Sequence, residues 1–305
     1  MRRVDWLLVI FLIVGAVGGK ILGIGEGDGA RVQPADPVPE NPRRPAPRGY
    51  TPRAWDMETR EWQTAAPKSK RNEISARAPL PREGVILDDG KRSSSTGSAF
   101  SISDDGTWLT ARHVAEGCDV TWVQIAPKKA LKVRRTVIHP RADVAVLETR
   151  GAPAGLRLAD AAPRRGDNAY NVGFPKGAPG AVHARFLGEM TMRHRGRRGY
   201  RERVNVWSEV SRIPGRFGSL GGLSGGAVFD DVGRIVGIVE AESRRRGRIM
   251  TAKPATIRDL LSRAGAKPKP GPDGGDFTGR TYPQTARHLI TTLRVARVVC
   301  RVNAL

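Results

Sequence analysis

The sequence predicts an all-β protein, and three observations carry that prediction. Thirty-six Gly and 22 Pro in 305 residues favour turns and short strands over long helices. An apolar-alternating stretch at 97–102, the turn Asp104-Asp105-Gly106 and a second such stretch at 107–110 form a hairpin signal. Further apolar runs recur at strand length, bounded by turn residues, as expected for a sandwich or for barrels. In order they are 120–125, 131–138, 144–147, 169–173, 181–187, 204–210, 227–229 and 234–239. Residues 256–264 read as a short closing helix. Charged residues are 27% and hydrophobic residues 39%, which excludes a wholly disordered chain.

The flanks differ in texture from this β region. Residues 1–29 begin Met1-Arg2-Arg3 and continue into an uninterrupted apolar run from Trp6 to Gly19. As a helix, that run spans about 21 Å, short of the ~30 Å hydrocarbon core. Extended to Ile24, with Lys20 snorkelling to the headgroups, it becomes an uncleaved transmembrane anchor. The alternative is a cleaved signal peptide with Ala16-Val17-Gly18 as its small-residue site. Both readings export the remainder of the chain, because Arg2 and Arg3 stay inside. Residues 30–83 hold ten of the prolines, from Pro34 to Pro81, and read as a Pro/Arg-rich linker. Trp55 and Trp62 are its only docking candidates. Residues 84–265 carry the β pattern. Residues 266–305 read as a low-complexity basic tail. Within it, Leu289, Leu293, Ala296 and Cys300 fall on one helical face and Arg294, Arg297 and Arg301 on another: a basic amphipathic helix or a disordered end.

Lys and Arg number 52 against 30 Asp and Glu, for a net charge of +22 and a pI near 11.1. Such a charge is the footprint of a nucleic-acid or anionic-membrane binder, or simply of Arg-rich usage. Placement outside the cytoplasm argues against nucleic acid. The two cysteines, Cys118 and Cys300, exclude a disulfide framework and a Cys-rich zinc module. Two readings of them stay open: a pair formed in an oxidising compartment, or Cys118 as a small buried hydrophobe.

Three local sequences carry chemistry. His113 follows a strand in Leu109-Thr110-Ala111-Arg112-His113-Val114. Asp143 enters an apolar strand in Ala142-Asp143-Val144-Ala145-Val146-Leu147. Ser224 lies in the Gly-rich turn Gly221-Gly222-Leu223-Ser224-Gly225-Gly226. The order is His, Asp, Ser, with gaps of 30 and 81 residues. A serine hydroxyl needs an imidazole to take its proton, and a buried carboxylate to fix that imidazole's tautomer. Glycines beside the serine let the backbone turn two N–H groups toward one point, as an oxyanion hole requires. Each piece alone fits a structural role; order, spacing and strand context agree only together.

With Gly97-Ser98-Ala99-Phe100, Val172-Gly173-Phe174-Pro175 and Gly233-Arg234-Ile235-Val236-Gly237-Ile238, these segments resemble a trypsin-like serine protease domain, nearest the Do-like (HtrA/DegP-type) branch, over about 180 residues. The resemblance implies two six-stranded β-barrels, perpendicular to each other, with the active site between them. It implies Ser224 as nucleophile, His113 as general base and then acid, and Asp143 as orienting carboxylate. The N–H groups of Gly222 and Ser224 would form the oxyanion hole. No metal or organic cofactor is implied.

Departures from the family pattern qualify these expectations. Leu223 replaces the Asp that digestive proteases pair with a freed N-terminus, so activation of that kind is not expected. Gly218, six residues before Ser224, leaves the pocket base without a carboxylate. Glu240 and Glu242 flank the pocket, either as a preference for basic substrate residues or as solvated loop acids. The 40 residues after Gly265 are rich in Pro and Gly, so no complete PDZ domain is expected, nor peptide-regulated trimers or cages. Arg193–Arg203 and Arg244–Arg248 form two basic loops, either an anionic docking surface or solvated tips. The function expected is that of an exported, membrane-tethered serine endopeptidase acting on polypeptides. The alternative is a catalytically silent trypsin-fold scaffold that docks an anionic partner through its basic loops.

Overall fold

The computed structural model describes residues 10–11, 62, 79–87, 92–126, 129–195 and 199–303. The segment read as anchor or signal lies outside these residues except for Ile10–Phe11 (β1), which pairs in parallel with Glu83–Leu87 (β2). Among the described residues no helix is long and apolar enough to cross a membrane. Most of the 30–83 linker is likewise outside them, but Trp62 is buried in the main apolar core.

The first sheet of the protease-like region begins with Ser95–Ser103 (β3) and Thr107–Thr110 (β4), the expected hairpin. A single helical turn follows at Arg112–Ala115 (α1), then Val120–Ala126 (β5), Lys129–Lys132 (β6), Arg135–Ile138 (β7) and Ala145–Glu148 (β8). The run 131–138 is thus two short strands and not one. Its middle residues turn outward to other partners: the Val133 N–H donates to Thr121 and the Arg134 N–H to Glu148.

The second sheet is built from Asn168–Gly173 (β9), Gly180–Arg195 (β10), Tyr200–Ile213 (β11), Ala227–Phe229 (β12), Ile235–Ser243 (β13) and Arg248–Thr251 (β14). Strand β9 pairs with both β10 and β12, so these six strands close into a barrel in the order β9-β10-β11-β14-β13-β12. Strands β10 and β11 run well past the expected 181–187 and 204–210. Beyond them Met190, Met192, Val204 and Val206 are buried in a further apolar cluster, with Arg193 and Arg203 next to its outer members. Inside the barrel, Val182, Trp207, Leu223, Val228 and Ile249 share one apolar cluster. The closing helix, Pro254–Ala264 (α2), buries Ile257, Leu260 and Leu261 and stops at Gly265 in the left-handed region (φ 66°).

The expected tail is the main departure from the sequence reading. Residues 266–301 are an integral part of the fold. Lys269 and Gly271 donate their N–H groups to Ile102 and Gly155, so the Pro-rich strap is laid along the first sheet. Tyr282–Thr291 (α3) buries Tyr282, Ala286, Leu289 and Ile290. Leu293 at φ 60° then turns the chain into Val295–Arg301 (β15), which inserts between β3 and β5. The helical-face reading of 288–305 failed because Val295, Val298 and Val299 are β-branched and fit a pleated, two-sided slot. The first sheet therefore has seven strands, β6-β5-β15-β3-β4-β8-β7, curled into a half-barrel. The molecule is a closed six-stranded barrel beside this half-barrel, an all-β double-barrel architecture.

Candidate active site

Both barrel units converge at β3. At the end of β4, the chain passes Ala111 and enters α1, whose single turn presents His113 with its side chain 23% exposed. The loop before β8 carries Asp143, 3% exposed. His139 anchors the start of this loop. Its Nδ1 accepts the Arg141 N–H, which leaves Nε2 to donate to Asp259 Oδ2 on α2 at 2.7 Å.

Asp143 meets His113 twice. Its Oδ1 accepts the His113 backbone N–H at 2.9 Å, and its Oδ2 lies 2.6 Å from His113 Nδ1. Burial alone would raise the Asp143 carboxyl, but the His113 ring outweighs it and holds the group below the ordinary carboxylate range. An ionised acceptor at that distance assigns the proton to Nδ1 and leaves Nε2 with its lone pair.

Ser224 comes from the other unit, in the turn between Leu220 and β12. Leu223 and Gly226 donate their N–H groups to Leu220 and Leu223 at 2.8 Å each, and the Ser224 carbonyl accepts the Ser98 N–H at 2.8 Å. Gly225, at φ 82°, lies so close to the first sheet that a Cβ would fall 2.1 Å from the Ser98 carbonyl and 2.3 Å from Thr110 Oγ1. A Cβ on Gly97 would meet both Val114 (2.5 Å) and the Ser224 carbonyl (3.0 Å). The serine turn is thus seated against the strand end that launches His113. All three predicted residues gather at the junction of the two units.

The turn's preceding peptides are clamped from both sides. The Gly221 carbonyl accepts the Lys176 N–H at 2.6 Å. The Gly222 carbonyl accepts the Ser98 hydroxyl at 2.8 Å, and that hydroxyl accepts the Phe174 N–H at 2.9 Å. Gly222 needs its glycine: it sits at φ 95° with a Cβ position 2.6 Å from the Phe174 carbonyl. Among the described residues neither the Gly222 nor the Ser224 N–H donates to another protein group. Leu223 is fully buried in the barrel core, where an aspartate would be an unpaired charge.

The pocket candidates separate. Gly218 has open space where a Cβ would be, and its carbonyl accepts Arg244 Nε at 3.2 Å. Glu242 is engaged with the loop before Ser224: Oε2 accepts the Leu220 N–H at 2.8 Å, and Oε1 lies 3.7 Å from Arg212, which is also paired with Glu209. Glu240 is not a solvated loop acid. It is 4% exposed and lies near Glu202 and Asp143, between the closed barrel and the loop that carries Asp143. Burial and those two neighbouring acids push its carboxyl well above the ordinary range. The basic loops are partly consumed locally: Arg203 pairs with Glu189, and Arg248 is buried at 3% exposure. Ser98 and Lys176, which hold the Gly222 segment, carried no sequence signal beyond their place in the Gly-Ser-Ala-Phe and Gly-Phe-Pro segments.

Residues 97–238 match the family model described as a trypsin-like peptidase domain. A probable periplasmic serine endoprotease DegP-like from Pseudomonas savastanoi pv. phaseolicola is 29% identical over 165 residues, 53% of this chain and 32% of that protein. The chain thus spans about a third of the length of this curated relative. Among solved structures, the Rv3671c protease from M. tuberculosis in its active form is similar over 64% of this chain and 94% of that one, at 19% identity and a TM-score of 0.48. The MamO protease domain from Magnetospirillum magneticum (apo form) is similar over 54% and 94%, at 16% identity and a TM-score of 0.44. Residues 97–238, just under half of the chain, are thus similar in sequence to the trypsin-like peptidase domain.

Proposed function

We propose that the protein is an exported serine endopeptidase that hydrolyses polypeptides through a Ser224 acyl-enzyme. The observation that carries this reading is the paired contact of Asp143 with His113, with the Ser224 turn packed onto the same strand end. His113 Nε2 takes the proton of Ser224 Oγ as that oxygen attacks the scissile carbonyl. Asp143 holds the tautomer and stabilises the imidazolium that forms. The oxyanion is received by the N–H groups of Gly222 and Ser224, held by the clamps on the Gly221 and Gly222 carbonyls. Such donors are each worth roughly 3–4 kcal/mol in the transition state. His113 then passes its proton to the leaving amine. Water repeats the sequence in reverse to release the acid.

Export is supported by the Arg2-Arg3 and apolar start of the chain and by the Cys118–Cys300 disulfide, a bond that persists in oxidising compartments. The periplasmic DegP-like relative supports the same placement. Fluorophosphonate labelling of the folded protein, abolished in Ser224→Ala, tests the enzyme reading. A folded protein that takes no label would instead be the silent scaffold.

A further inference from the structure

The long β10–β11 hairpin reaches from the closed barrel to the half-barrel. Its last register pair is His194 with Tyr200, and their rings stack with centroids 4.1 Å apart and planes 13° from parallel. The Arg112 guanidinium lies 5.0 Å from the centre of the Tyr200 ring, a cation–π distance. Arg112 is the residue before His113. Two residues after Tyr200, Glu202 places Oε2 3.0 Å from the Asp143 backbone N–H and Oε1 2.6 Å from His194 Nε2. The side chains of His194 and Glu202 are 10% and 5% exposed. One hairpin end therefore grips both the residue beside His113 and the backbone of Asp143.

A solvated arginine loop does not require this arrangement. A backbone N–H is satisfied as well by water, and burying a carboxylate is costly unless it is paired and hydrogen-bonded. Glu202 spends both oxygens, one on His194 and one on the peptide of Asp143. That peptide must be fixed if Oδ1 and Oδ2 are to meet the His113 N–H and Nδ1 together.

We infer that Glu202, oriented by His194, is a positioning residue for Asp143, so that the hairpin end sets the geometry and the local charge of the His113–Asp143 pair. The inference rests on the reading of Asp143 as the orienting carboxylate. The charged and titratable groups around Glu202 are His194 and Tyr200 on the hairpin, Asp143 before β8 and Glu240 on β13, with Arg112 of α1 over the Tyr200 ring and His113 reached through Asp143. Burial and the nearby Asp143 raise the Glu202 carboxyl, against the pull of the His194 ring 2.6 Å away; Glu202→Gln keeps an oxygen for the Asp143 N–H but removes the carboxylate charge that the His194 pairing favours on the Asp143 side of the pair. Glu202→Leu removes both.

The test compares the two variants with wild type by the pH profile of kcat/KM and by the low-field proton resonance of His113 Nδ1–H. Glu202→Gln should keep plateau kcat within about threefold and move the acid limb to lower pH, since imidazolium loses a neighbouring anion. Glu202→Leu should lower kcat by about 10- to 100-fold with KM little changed, the cost of misplacing a catalytic group, and should broaden or lose the resonance. Near-ultraviolet circular dichroism identifies folded variants; if Glu202→Leu does not fold, the acid-limb shift of Glu202→Gln and the loss of the resonance in His194→Gln decide. An unmoved acid limb in Glu202→Gln, or a folded Glu202→Leu with wild-type kcat and resonance, would overturn the inference while leaving the protease reading intact. If wild type itself takes no fluorophosphonate, the protease reading fails, and the resonance still decides whether Glu202 positions Asp143.

Discussion

Cys118 is bonded to Cys300, with Cα atoms 5.4 Å apart and a separation of 182 positions in sequence. The bridge ties the loop that follows the His113 helix to the strand that enters the first sheet last in chain order. Asp119 reinforces it on the same side, pairing with Arg92 and accepting the Asn303 N–H at 2.6 Å. The end of β15 is thereby fastened to the loop that follows α1.

Replacing both cysteines with serine, or reducing the bridge, should lower stability by about 2–5 kcal/mol, because a loop this long restricts the unfolded chain strongly. Urea unfolding with and without reductant measures the shift in midpoint. Coincident curves would show that the bridge contributes nothing.

Ending the chain before Val295 should prevent cooperative folding. Strands β3 and β5 would each lose their β15 partner, and Val295, Ala296 and Val298 would leave a gap in the core. Circular dichroism and thermal melting of the truncated chain check this; a synthetic peptide of residues 292–305 should restore part of the structure. A cooperative melt without the peptide contradicts it.

Asp143→Asn should lower kcat by about 10⁴-fold through the wrong imidazole tautomer, with the fold retained. Steady-state kinetics on an unstructured protein substrate provide the measurement. A loss below tenfold would remove Asp143 from the proposed role.

Ser98→Ala should act on the oxyanion loop from a distance. It leaves the Gly222 carbonyl and the Phe174 N–H without their shared partner, an unsatisfied pair worth about 1–3 kcal/mol. The expected outcome is kcat lowered by about 10-fold or more with KM little changed, since a loosened donor weakens only the transition state. Unchanged kcat would mean that the Gly221–Lys176 clamp suffices.

Glu240→Gln should stabilise the protein at pH 8 and not at pH 4. Burial, with Glu202 and Asp143 close by, raises the Glu240 carboxyl, so the folded state keeps its proton where the unfolded chain has released it. Native protein then binds more protons than unfolded protein above the ordinary carboxylate range, and stability falls as pH rises toward the raised value. Below that range both states are protonated and the substitution is neutral. Thermal melts at the two pH values should differ by about 1–3 kcal/mol in the effect of the substitution, the scale of an unsatisfied buried polar group.

Much of the site was legible because its residue types are dictated by chemistry and its glycines by backbone geometry. Ser224 sits between glycines that the turn requires, and His113 and Asp143 begin or end apolar strands whose alternation is visible. The tail was not legible in the same way. Val295–Arg301 has no independent face to bury: it is stable only between β3 and β5, and neither neighbour is near it in sequence. Glu240 was no more legible: nothing in its own segment says that the fold brings it beside Glu202 and Asp143, which come from distant parts of the chain. Glu202 and His194 were counted as part of a basic loop, because the arginines around them hid a buried pair.

By itself the sequence determined the all-β class, the order and identity of His113, Asp143 and Ser224, and the left-handed glycines that shape the serine turn. These depend on local patterning and on reaction chemistry, both of which are written in short segments. Only the tertiary structure decided that the chain's end completes the first sheet, that Cys118 meets Cys300, and which of its many charges are buried. Such pairings join residues tens to hundreds of positions apart, and their free energy exists only once both partners have left water.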